Sequence, residues 1–161
     1  MLKNVQTVCL FCLVVFNLLL LETNARRVTI QATFECQKTS GWFWKMGPGP
    51  LDLDSDHDGD AYLLQRNGGN HQKWELIPAN GYYQLKNIAT GLYLDSNHEG
   101  SIYTHPANGG DFQKWQIIHS NGNAYWLKNV ATGRQLDCHR RKAYTWPPND
   151  ETSQRWYVRD A

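Results

Sequence analysis

One three-residue pattern recurs along the chain at a constant spacing. It reads Gln72-Lys73-Trp74, then Gln113-Lys114-Trp115, then Gln154-Arg155-Trp156, and successive tryptophans are 41 residues apart. A period of this length indicates one small unit present three times, and because such a unit cannot bury its own apolar face, the three copies should share a core. We therefore predict that Trp74, Trp115 and Trp156 are structural core residues and not ligand contacts.

The middle unit consists of short strands separated by Gly- and Asn-containing turns. Alternating or β-rich segments lie at 83–88, 92–95, 101–105 and 112–118, with no helical period. The third unit repeats this order, since Leu85–Gly91 returns as Leu127–Gly133. Three four-stranded units around one core predict an all-β fold of the β-trefoil type, in which three hairpins cap a six-stranded barrel.

In the first unit the constant offset aligns Trp44 with Leu85 of the second. We therefore place the three repeats at about 40–79, 80–120 and 121–161, and interpret residues 26–39 as an N-terminal lead-in to the domain.

The first 25 residues differ from the rest. Lys3 precedes an apolar run from Val8 to Leu21, and small residues follow at Thr23-Asn24-Ala25. This order predicts a cleaved secretory signal peptide over residues 1–25 and a secreted, extracellular protein, with an uncleaved membrane anchor as the alternative. Cleavage leaves Cys36 and Cys138, which in a secreted chain suggest one disulfide; two free or intermolecular thiols are the other reading.

Composition narrows the classes of partner. The formal net charge is only +1, so no long-range field attracts nucleic acid or an anionic membrane. We expect no nucleic-acid partner and no direct membrane insertion. No motif of a cofactor-binding fold is present, and we expect no cofactor.

The repeats resemble the ricin B-type lectin family. The resemblance is carried by Leu94-Asp95-Ser96-Asn97, Asn108-Gly109-Gly110 and Gln113-Lys114-Trp115 with their counterparts in the other units, and it covers roughly residues 40–160. The family implies one sugar pocket in each unit. An aspartate after the second strand accepts hydrogen bonds from two neighbouring hydroxyls, an aromatic ring lies against the apolar face of the sugar, and amides complete the pocket.

Transferred to this chain, the resemblance implies three sets of carbohydrate-binding residues. They are Asp95, Tyr103, His105, Asn108 and Gln113 in the second unit; Asp137, Tyr144, Trp146, Asn149 and Gln154 in the third; and Asp54, Tyr62, Asn67 and Gln72 in the first. Trp146 is the best stacking platform, whereas Leu64 occupies the aromatic position of the first unit. The family pattern has Asn immediately before the Gln, where this chain has His71, Phe112 and Ser153.

Three other readings compete with a simple lectin. Asp54, Asp56, Asp58 and Asp60 match the first half of a calcium loop of the EF-hand type, but Gln65 stands where that loop requires Glu, so a metal is only a weak expectation. The chain lacks the Gly-x-Ser-x-Gly and His-Glu-x-x-His motifs, and an enzyme is not expected. β-Trefoils also act by protein contact, as protease inhibitors or cytokine-like signals. We predict a lectin for galactose- or N-acetylgalactosamine-type glycans.

Overall fold

The computed structural model describes residues 25–33, 36 and 49–161. Nearly all of the predicted signal peptide, and also Trp44, lie outside the described residues. The described strands are β1 (Arg26–Ala32), β2 (Leu51–Ser55), β3 (Ala61–Gln65), β4 (Trp74–Ala79), β5 (Tyr82–Asn87), β6 (Tyr93–Ser96), β7 (Ile102–His105), β8 (Trp115–His119), β9 (Tyr125–Asn129), β10 (Gln135–His139), β11 (Lys142–Trp146) and β12 (Trp156–Asp160). One-turn 3-10 helices lie at Asn70–Gln72, Asp111–Gln113 and Thr152–Gln154.

Six strands close into a barrel. β1 pairs with β12 and β4, β5 pairs with β4 and β8, and β9 pairs with β8 and β12, all antiparallel. The remaining strands form the hairpins β2–β3, β6–β7 and β10–β11. Each unit thus supplies its first and fourth strands to the barrel and its middle strands to a hairpin. The predicted β-trefoil is confirmed.

The first strand of unit 1 lies further toward the N terminus than predicted. Trp74 pairs with Val28, as Trp115 pairs with Tyr83, so buried Ile30 occupies the place of Leu85. The sequence-based assignment of Trp44 to that place is wrong, and residues 26–32 belong to the barrel and not to a lead-in. The constant offset failed here because Asp54 follows Ala32 by 22 residues, whereas Asp95 follows the equivalent Asn87 by 8.

The three repeat tryptophans form the centre of the core. Trp74, Trp115 and Trp156 have no exposed surface and pack with Ile30, Leu85, Leu127 and further buried aliphatic residues. Each indole Nε1–H donates a hydrogen bond to the carbonyl of a leucine on the second strand of its own unit. The acceptors are Leu53 at 3.0 Å, Leu94 at 3.1 Å and Leu136 at 2.9 Å. This bond satisfies the one polar group of the indole and fastens each hairpin to the barrel.

The hairpins contact one another around the pseudo-threefold axis. Thr104 N–H donates to Gly59 O at 2.6 Å, and Thr145 N–H donates to Gly100 O at 2.7 Å. A Cβ on Gly100 would stand 2.7 Å from the Thr145 carbonyl oxygen, and its φ is +93°, so only glycine fits this close approach. The third hairpin has no such glycine, because Arg140 and Arg141, with φ of 47° and 69°, form a two-residue turn that is typical of tight hairpins.

Cys36 and Cys138 form a disulfide, as predicted, with their Cα atoms 5.3 Å apart. The bond joins the segment after β1 to β10, and Arg141 N–H donates to Cys36 O at 3.1 Å beside it. The disulfide therefore links units 1 and 3. Among the described residues there is no helix with the length and hydropathy needed to cross a bilayer.

The burial of Trp115 predicts a large effect on stability. Trp115→Ala should lower the free energy of unfolding by about 3–5 kcal/mol, because it leaves a cavity and an unpaired Leu94 carbonyl. Trp146→Ala is the matched control, since Trp146 is 52% exposed. Urea denaturation should show a lower midpoint for the first variant and little change for the second. Equal stability of the two variants would contradict the core assignment.

Candidate functional site

Each hairpin places an aspartate directly opposite a tyrosine. The cross-strand pairs are Asp54 with Tyr62, Asp95 with Tyr103, and Asp137 with Tyr144. Residues paired in this way have side chains on the same face of the hairpin, which we call the pocket face. The three carboxylates are each only 2% exposed, so few of their oxygen lone pairs reach solvent. The sequence-predicted aspartates and tyrosines are therefore brought together in all three units.

The carboxylates influence the ionisation of these tyrosines. Burial raises the pKa values of Tyr62, Tyr103 and Tyr144 above 10, and the nearby aspartate of the same unit raises them further. Each phenol consequently keeps its proton at neutral pH. The pocket face thus offers a hydroxyl, which can donate and accept, next to a carboxylate, which only accepts.

The repeat glutamines brace the loop that follows each hairpin. Their Oε1 atoms accept the backbone N–H groups of Asn67, Asn108 and Asn149 at 2.9, 3.1 and 3.2 Å. Their Nε2 atoms donate to the carbonyls of Gln65, Pro106 and Pro147 at 3.0–3.1 Å. Gln72, Gln113 and Gln154 are almost completely buried. Their amides are occupied by the protein, which indicates that they position other groups and do not touch a ligand themselves.

Unit 3 has an open pocket. A cavity of about 200 Å³ is lined by Asp137, Cys138, His139, Tyr144, Trp146, Asn149, Glu151, Thr152 and Ser153. The Trp146 ring is 52% exposed and meets Tyr144 edge-to-face, with ring centroids 6.3 Å apart. An exposed indole beside a carboxylate suits a ligand with one apolar face and a polar edge.

Asp137 retains hydrogen-bonding capacity toward this cavity. Its Oδ1 accepts Cys138 N–H at 2.6 Å, and its Oδ2 accepts Gln154 Nε2–H at 2.9 Å. Each carboxylate oxygen has two lone pairs, so one on each remains for a ligand. Asn149 uses its Oδ1 for Glu151 N–H at 3.0 Å, which leaves its amide N–H groups without a partner among the described residues.

Unit 2 has the same arrangement, but its carboxylate accepts more hydrogen bonds from the protein than that of unit 3 does. Asp95 accepts hydrogen bonds from Ser96 N–H at 2.8 Å, Gln113 Nε2 at 3.0 Å and Asn108 Nδ2 at 3.4 Å. His105 is exposed, and its Nδ1 lies 3.2 Å from the Pro106 carbonyl. A ligand in unit 2 therefore meets the Asn108 amide, which is already bonded to Asp95, and the His105 imidazole instead of an indole.

Unit 1 is altered at the end of the pocket face. Leu64 lies opposite Asp52, and Asp52 accepts two hydrogen bonds from Arg66, at 2.8 Å from Nε and 2.9 Å from Nη2. Arg66 also reaches Gln31 Oε1 at 2.9 Å. This ion pair, which the sequence analysis missed, stands where unit 3 has Gln135 opposite Trp146. Among the described residues of unit 1, Leu64 thus occupies the aromatic position, and a fixed charge pair lies beside it.

The residues that precede the three repeat glutamines differ in whether they carry a ring. His71 and Phe112 each meet a second ring edge-to-face, those of His57 at 5.3 Å and His98 at 5.1 Å. The corresponding residue in unit 3 is Ser153, which carries no ring. The hairpin turn of unit 3 also lacks the extra residues that carry His57 and His98 in the other units. The departures from the family pattern therefore place a pair of packed rings beside the aspartate hairpin in units 1 and 2, and a small hydroxyl side chain at that position in unit 3.

The acidic run of unit 1 is organised as a turn. Asp56 Oδ1 accepts the N–H groups of Asp58 at 3.1 Å and Asp60 at 2.9 Å, and Asn97 Oδ1 makes the same contact with Ser101 N–H in unit 2. Within the described part of the chain, no group of three or more His, Cys, Asp or Glu side chains converges as metal ligands do. The run is thus accounted for as the unit 1 copy of a repeated turn.

Five residues that line this cavity were absent from the predicted set of carbohydrate-binding residues: Cys138, His139, Glu151, Thr152 and Ser153. His139 could have been found from the two-residue period of a strand, because it follows Asp137 by two and shares its face. Glu151 has glycine at the equivalent positions, Gly69 and Gly110, so the repeat itself concealed it.

Comparison with known proteins identifies the family to which the chain belongs. A family model described as ricin-type beta-trefoil lectin domain-like matches residues 70–143 and 111–161. Together the matches cover more than half of the chain, and the chain belongs to this lectin-like β-trefoil family. No curated protein sequence is significantly similar to it.

Solved structures extend the comparison to the fold. The designed three-fold symmetric protein ThreeFoil has 19% identity and a TM-score of 0.67, over 84% of this chain and 99% of its own. SeviL, solved with asialo-GM1 saccharide, has 14% identity and a TM-score of 0.66, over 86% and 99%. A mosquitocidal holotoxin has 17% identity and a TM-score of 0.71 over 86% of this chain, which spans only 18% of the toxin. Such identities show the fold alone.

The environment of Asp54 predicts a pH-dependent stability. Burial raises the pKa of Asp54 above its ordinary 3.8, although the Gln72 amide and His71 lower it in part. At pH values above its folded-state pKa, the ionised Asp54 carboxylate therefore lowers the free energy of unfolding. This destabilisation shrinks as pH falls through that pKa and vanishes below 3.8, where both states are protonated.

Asp54→Asn should consequently raise the urea midpoint at pH 7, and the gain should decline on acidification. Asp58→Asn, on the exposed turn, controls for the change in net charge. A gain that persists unchanged at low pH would contradict this account of Asp54.

The turn geometry also predicts indifference to calcium. Because Asp56 already serves the backbone of its own turn, EDTA and millimolar CaCl₂ should give the same thermal midpoint. Differential scanning fluorimetry measures this directly. A midpoint that rises with calcium, and does so less in Asp58→Asn, would show that the acidic run binds metal.

Proposed function

We propose that the protein is a secreted lectin that binds galactose- and N-acetylgalactosamine-type sugars non-covalently through up to three pockets, with the unit 3 pocket as the principal site. The observation that carries the proposal is the unit 3 cavity, in which a carboxylate with spare acceptor capacity faces an exposed indole. Membership of a lectin-like family and the fold shared with SeviL support it. The disulfide supports secretion, because such bonds persist in oxidising compartments.

The chemistry of recognition follows from the wall of the cavity. Asp137 accepts hydrogen bonds from two adjacent hydroxyls, which selects their relative orientation, and the Asn149 amide donates to a third oxygen. The apolar C–H face of a galactose-type ring lies on Trp146. The proposed activity is non-covalent binding without catalysis.

A single open pocket gives weak affinity, with a Kd on the order of 1 mM, or about −4 kcal/mol. Two or three pockets on one domain can engage a glycan-rich surface together and raise the apparent affinity by ~10²–10⁴. Most of that affinity belongs to the unit 3 pocket, which is the principal site.

Isothermal titration of residues 26–161 with galactose, N-acetylgalactosamine and glucose tests the proposal. We expect the first two to bind, and glucose, which differs from galactose only at C4, to bind about tenfold more weakly, a difference of about 1.4 kcal/mol. Asp137→Asn should remove most of the binding, because an amide replaces one acceptor by a donor while keeping the shape of the side chain.

Asp95→Asn is the matched control, since it makes the same change in unit 2 and should cost less. Circular dichroism establishes that both variants are folded. Equal binding of glucose and galactose, or full binding by Asp137→Asn, would overturn the assignment of the unit 3 pocket.

A further inference from the structure

The pocket face extends one residue pair beyond the aspartate and tyrosine, toward the turn of each hairpin. The registered pairs Ser55–Ala61, Ser96–Ile102 and Cys138–Ala143 point to the opposite face. Side chains alternate along a strand, so the next pair returns to the pocket face. That pair is Asp56–Asp60 in unit 1, Asn97–Ser101 in unit 2 and His139–Lys142 in unit 3.

These three equivalent pairs differ in charge. The unit 1 pair consists of two carboxylates, the unit 2 pair is neutral, and the unit 3 pair joins an imidazole to an ammonium group. The turns beyond them follow the same trend, since Asp58 and Glu99 lie in the first two turns and Arg140 and Arg141 form the third. The fold is repeated, but the electrostatic character of this position is not.

The basic pair adjoins the open cavity. His139 lines it together with Asp137 and Tyr144, and Lys142 lies directly across from His139 on the same face. Among the described residues neither side chain makes a hydrogen bond or an ion pair, so both are available to a ligand. The cavity has acidic groups as well, Asp137 at its floor and Glu151 on the loop after the hairpin. Among the described residues on the pocket face, the cationic groups of unit 3 thus lie at the end near the hairpin turn.

We propose that the unit 3 pocket binds an anionic galactoside, whose sugar ring lies on Trp146 and Asp137 and whose negatively charged substituent is held by His139 and Lys142. This inference rests on the proposed lectin function and specifies its ligand class. An ammonium group and a ring N–H make charge-assisted hydrogen bonds to sulfate or carboxylate oxygens. A negatively charged substituent at the turn end of the ring meets these donors, whereas one elsewhere on the ring does not reach them. The pocket therefore discriminates by the position of the charge as well as by its sign.

The test compares neutral and charged probes of one sugar. The probes are methyl β-galactoside, its 3-, 4- and 6-O-sulfates, and 3′-sialyllactose with lactose as its neutral reference. We expect at least one charged probe to bind about tenfold more tightly than its neutral reference, equivalent to about 1.4 kcal/mol. The advantage should decrease between about 50 and 500 mM NaCl, because salt screens partly exposed charges.

The repeat supplies the variants. His139→Asn with Lys142→Ser gives unit 3 the pair that unit 2 carries, and should bring the ratio of charged to neutral affinity close to one. Asp56→Asn with Asp60→Ser makes the same pair in unit 1, outside the proposed subsite, and should leave the ratio unchanged. Titration calorimetry gives the ratios, and thermal midpoints establish that the variants fold.

Each outcome decides between the two proposals. A preference for a sulfate ester, or for the carboxylate of sialyllactose, that disappears in the unit 3 variant supports the anionic subsite and identifies the source of the charge. Equal binding of neutral and charged probes, or a preference that survives in the unit 3 variant, overturns the subsite and leaves the lectin intact. Failure of every galactoside to bind the unaltered protein overturns the lectin and the subsite with it.

Discussion

The structure depends on the way one short motif serves both the core and the pocket. In each copy the tryptophan indole is buried and donates to the leucine carbonyl that immediately precedes the pocket aspartate. Two residues earlier, the glutamine holds the loop after the hairpin, and in units 2 and 3 it also donates to that aspartate. A shift of the tryptophan would therefore move the carboxylate. This coupling ties the position of the pocket aspartate to the packing of the core.

A symmetric scaffold can still carry unequal sites, because the residues that line the pockets lie outside the Gln-x-Trp motif. The equivalent core positions of the three units are equally buried, since Ile30, Leu85 and Leu127 have no exposed surface. At the pocket, a residue with a ring precedes the glutamine in units 1 and 2, whereas Ser153 precedes it in unit 3 and lines the cavity. Substitution there costs little stability because the side chains are not in the core. The fold can thus be retained while one site gains ligand contacts and another loses them.

The sequence predicted those parts of the fold that recur in register. Units 2 and 3, the buried tryptophans and the aspartate–tyrosine pairs could all be read from offsets of 41 or 42 residues. The strand containing Ile30 could not, because the insertion after it breaks the offset, although its alternating apolar residues are visible without the repeat. The buried role of the glutamines also escaped prediction. A polar side chain within a sugar-binding motif looks like a ligand contact until its two hydrogen-bond partners are known.

The boundary between units 1 and 3 shows what the repeat cannot specify. Elsewhere a buried asparagine clamps the units, with Asn87 Nδ2 donating to His71 O and Asn129 Nδ2 to Phe112 O, both at 2.7 Å. Ala32 occupies this place in unit 1, and the equivalent carbonyl, that of Ser153, lies beside the disulfide, 3.1 Å from Cys138 Sγ. At the boundary between units 1 and 3, the disulfide thus takes the place of the asparagine side-chain hydrogen bond found at the other two boundaries. Cys138 and Ser153 also line the open pocket, so the bond that links units 1 and 3 supports part of the pocket wall.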